Sequence, residues 1–204
     1  MEADQGLILP VGFFCNSDHA YQYAKAKTDK AREKQARQVK RETATLAKAD
    51  RKHTKVRKEA LKTHRQKLAE AQPIFNELRR WQEFKWFMQR GLEPLCISCQ
   101  KPLGGDVWSA GHLKTAGGHT NTRFDPLNIF LQHNVKCNMH ESGDVENYKI
   151  GLATRFGEDE AKRIIDHCTV ESKKPKSYTD DEFTEMKKRW RAEIRELKRE
   201  LGAH

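Results

Sequence analysis

Cys96 and Cys99 form a C-x2-C pair, and His133 and Cys137 follow as a His-x3-Cys pair. These are the residues whose types and spacing bear most directly on chemistry. Zinc takes four soft or borderline ligands in a tetrahedron. A C-x2-C knuckle supplies two on one turn, and His-x3-Cys places two more on the first turn of a helix. The stretch between them is too short to hold itself together by apolar burial, so a structural zinc staple is expected there. His140 is an alternative fourth ligand, because Cys137-x2-His140 also has workable spacing. Cys168 stands without a companion at such spacing and fits a buried free thiol.

Inside the bracket lie Ala110-Gly111-His112, Gly117-Gly118 and the run Arg123-Phe124-Asp125-Pro126-Leu127-Asn128-Ile129, with Asn138 directly after the last cysteine. That order is the order of HNH nucleases whose ββα hairpin is stapled by zinc. Phosphodiester hydrolysis requires a base to deprotonate water and a divalent metal to stabilise developing charge. His112 supplies the base. Asn128 is suited to orienting the imidazole or the hairpin. Asn138 offers a hard oxygen to Mg²⁺ or Mn²⁺, with His140 as a further candidate ligand.

The stretch CISC, WSAGH, RFDPLNI, QHNVKCN and SGD, over roughly residues 94–167, resembles the lambdoid phage NinG (Rap) recombination endonucleases. The resemblance implies a zinc-stapled HNH-like core, cleavage of branched DNA (Holliday junctions or D-loops) with a divalent metal, and function at His112, Arg123, Asn128 and Asn138. The chain departs from the pattern twice. His133 stands where the family usually has cysteine, and Gly111 precedes His112 where many HNH enzymes carry a metal-binding aspartate, with Ser109 upstream. His140, His119 and Asp144 are then the candidates for a second catalytic-metal ligand. Cys15-x3-His19 has the form of half an N-terminal zinc knuckle.

Helices must carry and position this centre. Hydrophobic residues make up 36% of the 204-residue chain and charged residues 33%, which suits a small core with exposed helical arms. Residues 25–67 hold seventeen Lys/Arg against five Asp/Glu, so the whole positive excess of the +10 chain lies there. Such a segment points to a polyanion, most simply DNA, through side chains such as Lys40, Arg41, Arg51 and Lys52, with Lys114 and Arg123 contributing from the core. Residues 21–72 lack Pro and Gly and predict one long basic helix. Pro73 is placed to start a second, amphipathic helix over 74–90. Helical spacing recurs at Tyr148, Leu152 and Phe156, and again at Ala161, Ile164, Ile165 and Cys168. Thr179 and Glu182 form a capping box before a last stripe of Phe183, Met186, Trp190, Ile194, Leu197 and Leu201.

The expected fold class is α+β: a small zinc-stapled HNH core, mostly helical overall. Its domains are a basic arm (1–72), the core with flanking helices (73–168), and a linker with a C-terminal helix (169–204). With no secretory signal and no apolar run of membrane-spanning length, the expected location is the cytoplasm, with no membrane partner. A homodimer through the terminal helices would suit a junction. The rivals are an HNH nuclease of packaging or restriction type acting on ordinary duplex, and a non-catalytic DNA-binding zinc module.

Overall fold

The structure, a computed structural model, describes residues 7–202. The fold is α+β and mostly helical, and the chain divides into two compact units at Lys62/Thr63. In the first unit a short hairpin, β1 (Leu7–Leu9) with β2 (Gly12–Phe14), precedes α1 (Ser17–Ala60). Asn16 caps α1 by accepting from the His19 amide. None of the 44 residues of α1 is buried. With no core to join, the helix rests on its Ala-, Lys- and Glu-rich propensity and on i,i+4 pairs such as Arg37–Glu33.

Two sequence expectations change here. The long helix breaks after Ala60, because Thr63 and Gln66 form a reciprocal capping box that starts α2 (His64–Met88). Pro73 therefore lies inside α2 rather than at its start, and the second unit begins ten residues before the expected boundary. The interior proline is tolerated because Pro73 and the turn it interrupts, at Ala69, are exposed, so water can solvate the freed carbonyl.

The second unit is built around one antiparallel hairpin, β3 (Trp108–His112) with β4 (Ile129–His133), in the register Trp108↔His133 to His112↔Ile129. A π-helical turn (Asn134–His140) follows β4, so the local order is ββα. Strand alternation sends Ala110 and Ile129 to one face, where they join Ala71, Phe75 and Leu78 of α2 and Phe183, Trp190, Ile194 and Leu197 of α5 (Asp180–Glu200). Phe130 goes to the other face, with Tyr148 and Leu152 of α3 (Val145–Phe156) and Ala161, Ile164 and Cys168 of α4 (Glu158–Glu171). The hairpin is thus the middle layer between two helix pairs. The α5 stripe is covered by α2 of the same chain, and the Thr179/Glu182 capping box is present.

Backbone groups on the outer edge of β4 are also covered. Arg79 donates to the Ile129 carbonyl (2.9 Å), the Leu131 amide donates to Glu83 (3.4 Å), and the Ile97 amide donates to the Leu131 carbonyl (2.8 Å). Glu83 is in turn bound by buried Arg155 at 2.8 Å. A two-stranded sheet is marginal alone, and these contacts leave β4 no free edge at its centre.

Candidate functional site

Cys96, Cys99, His133 and Cys137 converge so closely that their ligand atoms all lie within 4.8 Å of one another. The Cys96 and Cys137 sulfurs are 3.8 Å apart, and Cys99 Sγ is 3.5 Å from His133 Nδ1. A disulfide would need about 2.0 Å. A tetrahedron with Zn–S ~2.3 Å and Zn–N ~2.0 Å has edges of about 3.8 and 3.5 Å, so the cluster fits a structural metal such as zinc. His133 Nε2 lies 3.0 Å from the Pro102 carbonyl, the outer contact that leaves Nδ1 as the ligand nitrogen. The fourth member of the cluster is therefore His133; His140 is exposed on the surface beside Asp106 and Lys136. Burial pushes the Cys96 and Cys137 thiols up, with neighbouring thiols adding to the effect on Cys137. Metal uptake must therefore displace protons.

His112 ends β3 at the opposite end of the ladder from His133. Its Nδ1 lies 3.0 Å from the Ala110 carbonyl and its Nε2 lies 3.4 Å from the amide nitrogen of Gln72 on α2. Burial lowers its pKa below the ordinary imidazole range, and the nearby Arg123 cation acts in the same direction. The side chain is therefore neutral near pH 7. Arg123 comes from the loop between the strands and donates to Gln72 Oε1 (3.1 Å). Asn128 is fully buried and orders that loop: its Oδ1 accepts from the Lys114 amide (2.7 Å), while its Nδ2 donates to the carbonyls of Lys114 (2.9 Å) and Thr122 (3.0 Å). Of the two roles open to Asn128, the structure gives it the hairpin and loop.

Asn138 follows Cys137 in the π-helical turn, at the His133 end of the hairpin. His119 Nδ1 is 3.3 Å from the Ser172 carbonyl, and Asp144 accepts from Asn147 at the start of α3. Lys40, Arg41, Arg51 and Lys52 are exposed on α1, while Lys114 and Arg123 are half-buried. Cys15 and His19 meet at 2.8 Å on the exposed first turn of α1. Buried Cys168 points its sulfur at the Leu127 carbonyl, and desolvation pushes its thiol up to about 12, so it is inert at neutral pH.

The family described as the bacteriophage lambda NinG protein matches residues 9–200. The chain belongs to the NinG family. The protein ninG of Escherichia phage 933W is 30% identical over 152 residues, 74% of this chain and 71% of that relative. The protein ninG of Salmonella phage P22 is 30% identical over 144 residues, 71% of this chain and 64% of the relative. That of Escherichia phage lambda is 34% identical over 110 residues, covering 54% and 49%. No solved structure matches the chain.

Within this NinG chain, the glycine before His112 has a packing cause. A Cβ on Gly111 would lie 2.3 Å from Gln132 Oε1 and 2.7 Å from Gln132 Cβ. Gln132 is fully buried and cannot withdraw, because its Nε2 donates to Ser98 Oγ (2.7 Å) and to the Gly143 carbonyl (2.6 Å). Tyr148 closes the same face by donating to the Gly111 carbonyl (2.9 Å). Gly111→Ala is expected to cost about 1–3 kcal/mol through overpacking, and Gly111→Asp more, because its carboxylate would also be buried. Urea midpoints would measure this, and an unchanged midpoint for Gly111→Ala would refute the steric account.

Sequence reasoning missed Gln72 and the buried Arg79–Glu83–Arg155 group. The available signal was the appearance of Arg79 and Glu83 at four-residue spacing on the stripe that also carries Ala71, Phe75 and Phe87.

Proposed function

We propose that this chain is a metal-stapled HNH-type endonuclease that cuts branched DNA, such as a Holliday junction or D-loop, in phage recombination. The observation that carries the proposal is the ββα order, with His112 at the end of its first strand, neutral, and with Nδ1 set against a backbone carbonyl. A general base needs one nitrogen held and the other able to take a proton from water; His112 Nε2 faces the Gln72 amide nitrogen at 3.4 Å, and that amide must turn aside for the step. Arg123 and Lys114 lie on the loop beside it as candidate phosphate contacts, and zinc at the Cys/His cluster holds the hairpin from its far end.

Asn138 and His140 carry the candidate ligands for the Mg²⁺ or Mn²⁺ that the family resemblance implies. Among the described residues, the side chains that meet His112 through polar atoms or charge are Gln72 and Arg123, with no carboxylate between them, and such a set does not fit a divalent cation. What the chain's own residues do is accept a proton at His112 Nε2 and attract phosphate at Arg123.

The same donor set, with Gly111 beside it, favours a second reading: a DNA-binding zinc module without catalysis. Intact protein with Mg²⁺ or Mn²⁺ should nick synthetic four-way junctions faster than linear duplex of equal length. Equal rates point to an ordinary duplex nuclease, and binding without nicking points to the non-catalytic module. A homodimer would suit the two equivalent strands of a junction. Since the α5 stripe is already covered within the chain, its interface would have to lie elsewhere.

The basic helix α1 is proposed to supply affinity. At 44 residues it extends roughly 66 Å. Replacing Lys40, Arg41, Arg51 and Lys52 together by alanine should weaken junction binding and reduce the slope of log affinity against log salt by up to about 3.6, at about 0.9 per phosphate contact. A slope equal to that of the parent protein would return α1 to a solvated face.

A further inference from the structure

We propose that Gln72 is a positioning residue of the His112 centre, an amide relay through which Arg123 fixes the acceptor state of the imidazole. The proposal deepens the nuclease reading and rests on it for the purpose of the relay, but the relay itself is built from contacts that do not depend on that reading. Arginine has only donors, so the Gln72 atom facing Arg123 Nη1 at 3.1 Å must be Oε1. The Gln72 nitrogen then points the other way, donating to Asn76 Oδ1 at 2.7 Å and lying 3.4 Å from His112 Nε2. A donor facing Nε2 makes that atom the acceptor, so the ring proton sits on Nδ1, where the Ala110 carbonyl receives it at 3.0 Å. The direction therefore runs from Arg123 through Gln72 and His112 to Ala110. Protonating His112 would set an N–H against the Gln72 N–H, which opposes the cationic form.

The Arg123 Nε atom is buried without a partner among the described residues, so the hold on this guanidinium comes from Gln72 at Nη1. The charged groups around His112 are few. Arg123 faces it from the loop, and Tyr178 lies near Arg123 as a neutral phenol whose pKa burial pushes up to about 12. On α2, Arg79 and Glu83 are engaged with each other and with the β4 backbone. Two backbone carbonyls also face the imidazole as acceptors, that of Ala110 at Nδ1 and that of Arg123, and both oppose the lowering of its pKa. Among the described residues no carboxylate acts on the imidazole.

The test is an NMR titration of the His112 ring nitrogens in the full chain, zinc-loaded, with zinc content and melting temperature checking the fold of each variant. The wild type should show a single tautomer with the proton on Nδ1. Gln72→Glu, close to isosteric, puts an acceptor where the donor was and should raise the His112 midpoint by about 1–3 pH units, as an opposite charge at that range does. Gln72→Leu should move the Nε2 resonance toward that of a nitrogen with no donor. If neither variant changes the His112 midpoint or the Nε2 resonance, the relay is refuted whatever the protein cleaves. The nuclease reading fails separately: wild type that never nicks a junction sinks that reading while a shifted His112 midpoint leaves the relay standing. Where junctions are cut, the acid limb of the Gln72→Glu rate profile should move to higher pH together with the midpoint.

Discussion

Serine in place of Cys96 or Cys137 is expected to abolish cooperative unfolding of the second unit and to release its metal. Both sulfurs are buried, and Cys96 also accepts from the His133 amide (3.3 Å), so the cluster ties the knuckle to the end of β4. Structural zinc contributes about 10–16 kcal/mol in small domains at neutral pH, whereas a whole domain is stable by only about 5–15 kcal/mol. Losing one ligand therefore removes as much free energy as the unit has to spare. His133→Ala should behave alike, while His140→Ala should keep both metal and fold, since His140 lies outside the cluster. Metal analysis with thermal melts decides the matter. Full zinc content in Cys137→Ser, or unfolding by His140→Ala, would overturn this ligand set. Uptake should also acidify a weakly buffered solution, because the raised thiols must lose their protons to bind.

The Cys/His cluster was legible in the sequence because ligand spacing is a local property: C-x2-C and His-x3-Cys each close on one turn. The helices were legible for the same reason. The Thr179/Glu182 box and the Phe183–Trp190–Ile194–Leu197 stripe read as a helix and form one, with that stripe buried. Boundaries were harder. Thr63-x-x-Gln66 carries the same capping signature, but it sits in a run that favours helix on both sides, and Pro73 drew the boundary toward itself. Least legible were contacts that span the chain. Gln72 meets His112 forty residues on, and Arg123 meets Gln72 fifty-one residues back. Gly111 illustrates the same limit. It reads as a missing carboxylate when set beside HNH nucleases, yet in the fold it is the residue that leaves room for Gln132.

His112→Ala should leave zinc content, melting and junction binding in place while lowering cleavage by about 10²–10⁴, the usual worth of general-base assistance. The separation is physical. His112 lies at the far end of the hairpin from the Cys/His cluster, is half-buried, and is not part of either apolar core. Removing it leaves the Ala110 carbonyl to water and the Gln72 amide bound to Asn76 and Arg123. The pH dependence follows from the imidazole's environment. Burial lowers its pKa, so the neutral form persists below the ordinary midpoint near ~6.5. Cleavage should accordingly hold its rate from neutral pH down past that value, and fall only as the pH drops through the lowered pKa and the base takes up its proton. An acid limb above the ordinary midpoint would mean that another group limits the rate. Arg123→Met should differ from His112→Ala by weakening junction binding as well as cleavage, because a guanidinium acts on phosphate in the ground state too. If folded, zinc-loaded His112→Ala cuts junctions at the parent rate, His112 is not the base, and the DNA-binding module becomes the better account of the hairpin.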